Sequence, residues 1–327
     1  MKKNAFILMI LLPWVTCNQS KGQAIIQKGN LTYDLRFAEL AIQYLETKDS
    51  SLLQKIAELN STDHIFNHAA KYNYDVPKNS KIDLVTFLLS PIQEKNKLLP
   101  EVKRNLEFAK EKIATIDLAQ TECLKYLPDS FTYSGSLFFT FGYDIGVVYE
   151  NNASLNLAYK SFVNYHNEIK YYAIHELHHA GFVALKKNYM PSLEITTYKE
   201  MAELIEYFTH LEGMATYAAL DLRKKENALN NDKDYIALQD SSLMKGLVKE
   251  YVDVYIYFKK NPDRLLTKDD WEKLSIFSDT KRLWYRVGAL MAQEIDRQSG
   301  RENLTALIAE SSEKFINTYL TLSKSKF

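Results

Sequence analysis

The stretch that decides the reading is Tyr171-Tyr172-Ala173-Ile174-His175-Glu176-Leu177-His178-His179-Ala180-Gly181-Phe182. It contains no proline, and the pattern around it predicts one helix from Glu168 to Leu185. Four residues turn a helix by about 400°, so His175 and His179 stand one above the other on one face. Two imidazoles one turn apart can hold a single zinc ion. Glu176 flanks the same face, placed to reach water rather than the metal. His178 lies about 100° short of His179 and turns away.

A catalytic zinc needs a third protein ligand and an open position. Leu185 stands where the extended H-E-x-x-H-x-x-G-x-x-H form has its third histidine, and Gly181 is out of register, so that form is excluded. The next helical segment, Lys199 to Leu222, offers Glu200, Glu203, Glu206 and Glu212. Glu203 shares its side with Lys199, Glu200, Tyr207 and His210, a wet face. Glu212 shares its side with Ile205, Phe208, Thr209, Thr216 and Ala219, where a carboxylate is costly to bury without a cation. Gly213 and Ala215 beside it remove bulk where a second helix must come close. Glu212 is therefore the expected third ligand, with Glu206 as the runner-up. His64 and His68 also stand at i, i+4, but no acid lies between them in the useful position, and they read as ordinary surface or core histidines.

Upstream of the helix the texture is β. Leu137 to Phe141, Gly146 to Glu150 and Ser154 to Tyr159 are strand-like, with Asn151-Asn152 as the turn between the last two. The last run alternates and is expected to be the edge strand lining the cleft. Before Ser130 there is no glycine as far back as Gly29, and apolar residues recur at helical steps, as in Val102, Leu106, Ala109, Ile113 and Ile116. About four helices are expected over residues 33–127, with breaks at Pro77 to Ser80, Pro91, Pro100 and Pro128. After Asn164 the helical pattern dominates again. The fold class is mainly α with a small β-sheet, an α+β arrangement.

The N-terminus reads as an export signal. Lys2 and Lys3 precede an apolar run from Ala5 to Val15, too short to cross a bilayer. Cys17 follows at the place of a lipoprotein cysteine, although Trp14 and Thr16 depart from the usual box. The alternative is cleavage after Gly22-Gln23-Ala24, giving a soluble exported protein. The expected organisation is a signal over residues 1–17, a tether over 18–32, a helical region over 33–130 and a catalytic domain over 131–327. If Cys17 carries lipid, Cys123 is left alone, and it reads as a buried apolar thiol. The 327 residues carry 41 basic and 41 acidic side chains, which argues against a nucleic-acid partner. The expected partners are a peptide or protein substrate and, through Cys17, a bacterial envelope membrane.

His175-Glu176-x-x-His179, followed by Glu212-Gly213-Met214-Ala215-Thr216-Tyr217, resembles the gluzincin clan of zinc metallopeptidases, several families of which carry E-G-x-A-x-Y at the third ligand. With its export signal and helical first half, the chain resembles an uncharacterised bacterial family of zinc-dependent peptidases. The specific match covers about residues 150–220. It implies a zincin-like catalytic domain with one Zn2+ per chain held by His175, His179 and Glu212, and Glu176 as the general base. Some gluzincins place an aspartate four residues after the ligand glutamate. Thr216 stands there instead, so the partner that orients a ligand histidine is unassigned. The second electrophile such chemistry needs is sought at Tyr285, which shares a helix face with Gly288, Ala289 and Ala292; the same pattern also suits plain packing. His178 and His210 are the other candidates. A zinc-stabilised binding lipoprotein and a hydrolase of non-peptide amides or esters are the competing functions.

Overall fold

A computed structural model describes residues 24–94, 98–186 and 190–324. The export signal and Cys17 lie outside the described residues. Five strands form one mixed sheet: β1 (Ile25–Lys28), β2 (Leu31–Asp34), β3 (Gly135–Thr140), β4 (Gly146–Tyr149) and β5 (Asn152–Asn156), in the order β1-β2-β3-β5-β4. β2, β3 and β5 run parallel, while β1 and β4 are antiparallel edges. The segment expected as a tether over 18–32 is thus corrected in its second half. Residues 25–28 and 31–34 form a hairpin, turned at Gly29 with φ +55°, a backbone that glycine adopts freely.

Parallel strands need a long crossover, and here that crossover is the whole N-terminal helical region. Between β2 and β3 run α1 (Arg36–Thr47), α2 (Ser51–Ala57), α3 (Asn60–Lys71), α4 (Lys81–Glu94), α5 (Leu99–Phe108) and α6 (Leu118–Leu124). The sheet therefore bridges the boundary expected at 130/131, and one apolar core joins Phe37, Leu88 and Ile113 to Phe139, Ile174 and Met214.

Two sequence expectations fail locally. Pro91 lies inside α4 rather than breaking it. Proline cannot bond the carbonyl four residues back, which is that of Phe87, and the Ser90 hydroxyl donates to it instead at 3.1 Å. Ile116 was placed on the buried stripe but is 58% exposed, while Ile113 is fully buried. A π-helical stretch, Ala109–Ala114, follows α5 with a wider turn, and Ile116 falls in the turn that then ends the helix before α6.

After β5 come α7 (Lys160–Asn164), α8 (Glu168–Leu185), α9 (Tyr198–Lys225), α10 (Lys233–Gln239), α11 (Ser241–Lys259), α12 (Lys268–Ser278), α13 (Leu283–Ser299), α14 (Arg301–Ala306) and α15 (Ser312–Lys324). α8 has the bounds expected from sequence. α9 starts at a capping box in which the Glu200 N–H donates to the Thr197 hydroxyl and the Thr197 N–H donates to the Glu200 carboxylate at 2.9 Å. The edge strand on the cleft is β4, not the run after Ser154. β5 lies between β3 and β4 and is buried along almost its whole length. No helix among the described residues is long and apolar enough to cross a membrane.

Candidate metal centre and its cleft

Three helices build the site, and each is positioned by an identifiable contact. α8 and α9 lie antiparallel, pinned at one end by Glu168 and Arg223. Arg223 donates from both terminal nitrogens to the Glu168 carboxylate, at 2.6 and 3.0 Å, with both side chains fully buried. The guanidinium also faces the Tyr171 and Tyr235 rings at 4.2 and 4.1 Å. With that register set, His175 and His179 on α8 meet Glu212 on α9. Glu212 Oε2 lies 3.2 Å from His175 Nε2 and 3.1 Å from His179 Nε2.

α13 crosses α9 at two glycines. A Cβ on Gly213 would stand 2.4 Å from the Gly288 carbonyl carbon, and one on Gly288 would stand 2.5 Å from the Thr209 oxygen. Only this backbone-to-backbone approach brings the start of α13 over the histidines. Tyr285 there stacks on His175, with ring centres 6.2 Å apart and planes 13° off parallel. The fourth wall is β4. A Cβ on Gly146 would meet the Glu176 side chain at 2.5 Å, so glycine at that place lets the carboxylate lie against the strand.

These elements enclose a cavity of about 500 Å³, lined by His175, Glu176, His179, Glu212, Tyr285 and Arg282 among others. Its chemistry is set by burial. The Glu176 carboxyl is pushed up to about 8, first by desolvation, with the charges of Glu212 and Asp144 acting in the same direction. Burial would also raise Glu212, yet His179 and His175 hold it well below the usual carboxylate range. Desolvation drives the Tyr285 phenol well above its ordinary value, reinforced by Glu212.

The donor set suits a metal ion. His175, His179 and Glu212 each offer one ligand atom, and the three atoms lie within 4.8 Å of one another. Two imidazole nitrogens and one carboxylate oxygen form a known ligand set of catalytic zinc. His179 Nδ1 is buried without a protein partner, so no carboxylate orients that ring, in keeping with threonine at position 216.

Of the other candidates, His68 lines the same cavity, and the rest lie outside it. Glu206, the runner-up ligand, is buried and accepts hydrogen bonds from Tyr255 and Lys259 at 2.6 and 3.0 Å, away from the histidines. His178 turns from the cavity and bonds the Tyr126 carbonyl at 3.1 Å. His210 stacks on Phe315 and meets the Ser312 hydroxyl at 3.3 Å. His64 and His68 pack among aromatic rings, the latter against Tyr72, Tyr74 and Tyr143. Cys123 is buried and contacts the Tyr133 hydroxyl. Two cleft residues escaped sequence reasoning. Gly146 has no motif around it. Arg282 stands three residues before Tyr285, but only the fold shows it lining the cavity.

No curated protein and no solved structure matches the chain. A family model does, over residues 43–326, and the chain belongs to the family described as "Putative zinc dependent peptidase (DUF5700)".

Proposed function

We propose that this protein is a zinc-dependent peptidase of gluzincin type, with one Zn2+ per chain held by His175, His179 and Glu212. The observation that carries the reading is the convergence of those three ligand atoms beside a second, uncommitted carboxylate, Glu176. A bound zinc ion supplies Lewis acidity, polarising a substrate carbonyl and acidifying water. Glu176 accepts the proton of the attacking water as its oxygen bonds the carbonyl carbon, then delivers it to the leaving amine as the C–N bond breaks. Its buried position against Gly146 keeps that carboxylate aimed and out of bulk water. Tyr285 is the proposed donor to the developing oxyanion, since its phenol shares the cavity and stacks on His175. The enzyme is further proposed to be exported and held at a bacterial envelope by lipid on Cys17, acting on peptide or protein substrates.

Glu176→Gln tests the base. The variant is expected to retain zinc while losing about 10²- to 10⁴-fold in turnover of a peptide library. Cleavage at the wild-type rate would remove Glu176 from the mechanism.

A further inference from the structure

We propose that Arg282 binds a carboxylate of the substrate, within about three residues of the scissile bond; the inference rests on the peptidase reading above. Arg282 lines the same cavity as the candidate metal ligands. The other arginine of that lining, Arg223, spends its charge on the buried Glu168. Arg282 is held on several sides but not used up. Its Nε donates to Asp234 Oδ2 at 2.7 Å, and Arg286 Nε takes the other oxygen at 2.8 Å, so one carboxylate serves two guanidinium groups through their inner nitrogens. Of the terminal nitrogens of Arg282, Nη1 has only a 3.5 Å contact to the Ser278 carbonyl. Nη2 donates to no described residue. The terminal edge of a guanidinium is the one that grips a carboxylate in two-point fashion.

The other acids at this end are already engaged. Asp232 accepts from the Asp234 N–H at 2.8 Å and the Tyr172 hydroxyl at 3.0 Å, and Asp279 accepts from the Ser278 hydroxyl at 2.8 Å. The side chain of Arg282 is 21% exposed, which leaves a ligand access.

Position adds a second argument. Arg282 sits immediately before α13 with φ 51° and ψ 48°, a left-handed backbone that is costly for any residue with a side chain. The guanidinium lies on the Tyr285 ring at 3.7 Å, and the same ring stacks on His175. Guanidinium and imidazole thus share one phenol as neighbour. That puts the charge at most about 10 Å from the ring of a candidate metal ligand, and an extended peptide advances about 3.3–3.6 Å per residue. Up to about three residues span that gap. A carboxylate there comes either from the end of a peptide chain or from an acidic side chain.

The test uses zinc-loaded, full-length protein and three matched peptides: one with a free terminal carboxylate, its terminal amide, and an amide carrying an internal glutamate. At least one carboxylate peptide is expected to show a KM at least about 10-fold below the plain amide. The preferred peptide identifies the source. In Arg282→Gln that preference collapses toward unity. As a readout independent of turnover, calorimetric titration of the metal-free protein with a dipeptide acid and its amide is expected to favour the acid in the wild type only. Wild-type protein that cleaves acid and amide alike overturns the anchor while leaving the peptidase reading intact. Protein that cleaves no peptide at all overturns both. Arg282→Lys keeps the charge beside Asp234. If Gln unfolds the chain, a lowered preference in the Lys variant sustains the proposal and an unaltered one overturns it.

Discussion

The crossover helices α1–α6 and the helix pair α8–α9 are both buried, but what they bury differs in kind. Among described residues, α1–α6 bury aliphatic and aromatic side chains and a few neutral polar ones, with no carboxylate, lysine or arginine. α8 and α9 bury Glu168, Lys170, Glu176, Glu206 and Arg223, besides three histidines, and Lys186 is buried just past the end of α8. Removing charge from water is expensive unless it is paired. The first region therefore behaves as a source of stability, and the second as a place where stability is given up to fix charged groups in a cleft. Chemistry needs desolvated, uncommitted groups, and the apolar crossover compensates for them.

Arg223→Ala should break this comparison most sharply. Glu168 is raised above its ordinary value by desolvation despite its partner, so the ion pair is no great net gain. Removing one member leaves a buried charge alone, and a loss of about 3–5 kcal/mol in chemical denaturation is expected. Since Arg223 and Glu168 set the register that brings Glu212 to the histidines, metal affinity should fall as well. A variant as stable as wild type would show that the pair does not hold the register.

Ile113→Ala probes the other region. Ile113 is fully buried, and its truncation should cost about 2–5 kcal/mol while the folded protein keeps wild-type zinc content and turnover number. His68, Tyr72 and Tyr74 of the crossover already line the cleft, and a stable variant with altered kinetics would mean that Ile113 packing reaches it too.

Acid should act on the crossover through its two histidines. Burial depresses His64 to about 3 and His68 to about 4, below the ordinary 6.5. The unfolded chain therefore takes up protons that the folded chain refuses, and the stability is complete above pH 6.5. It then falls by about 1.4 kcal/mol per pH unit for each fully titrating group as pH drops toward those values. His64→Phe is expected to flatten part of that slope in denaturation series between pH 7 and 4. An unchanged slope would show that His64 is not buried as a neutral ring.

What the sequence disclosed follows from how local each signal is. The α8 helix and the spacing of His175, Glu176 and His179 depend only on helical geometry, so they were readable. Glu212 was reachable because its neighbours on one face are apolar, and Gly213 and Gly288 because small residues mark a close crossing. The β1–β2 hairpin was missed, since its strands have only four residues each and β2 gains its second partner from β3, about a hundred residues later. The π-helical stretch and the turn at Ile116 leave no mark on spacing alone. Gly146 and Arg282 have roles defined wholly by what the fold brings against them.

The most direct test of the central claim is the metal content of purified protein by elemental analysis, in the wild type and in His175→Ala, His179→Ala and Glu212→Ala. One zinc per wild-type chain and its loss in each variant is the predicted result. A wild type that stays metal-free in excess zinc, or variants that hold zinc as tightly as it does, would contradict the account.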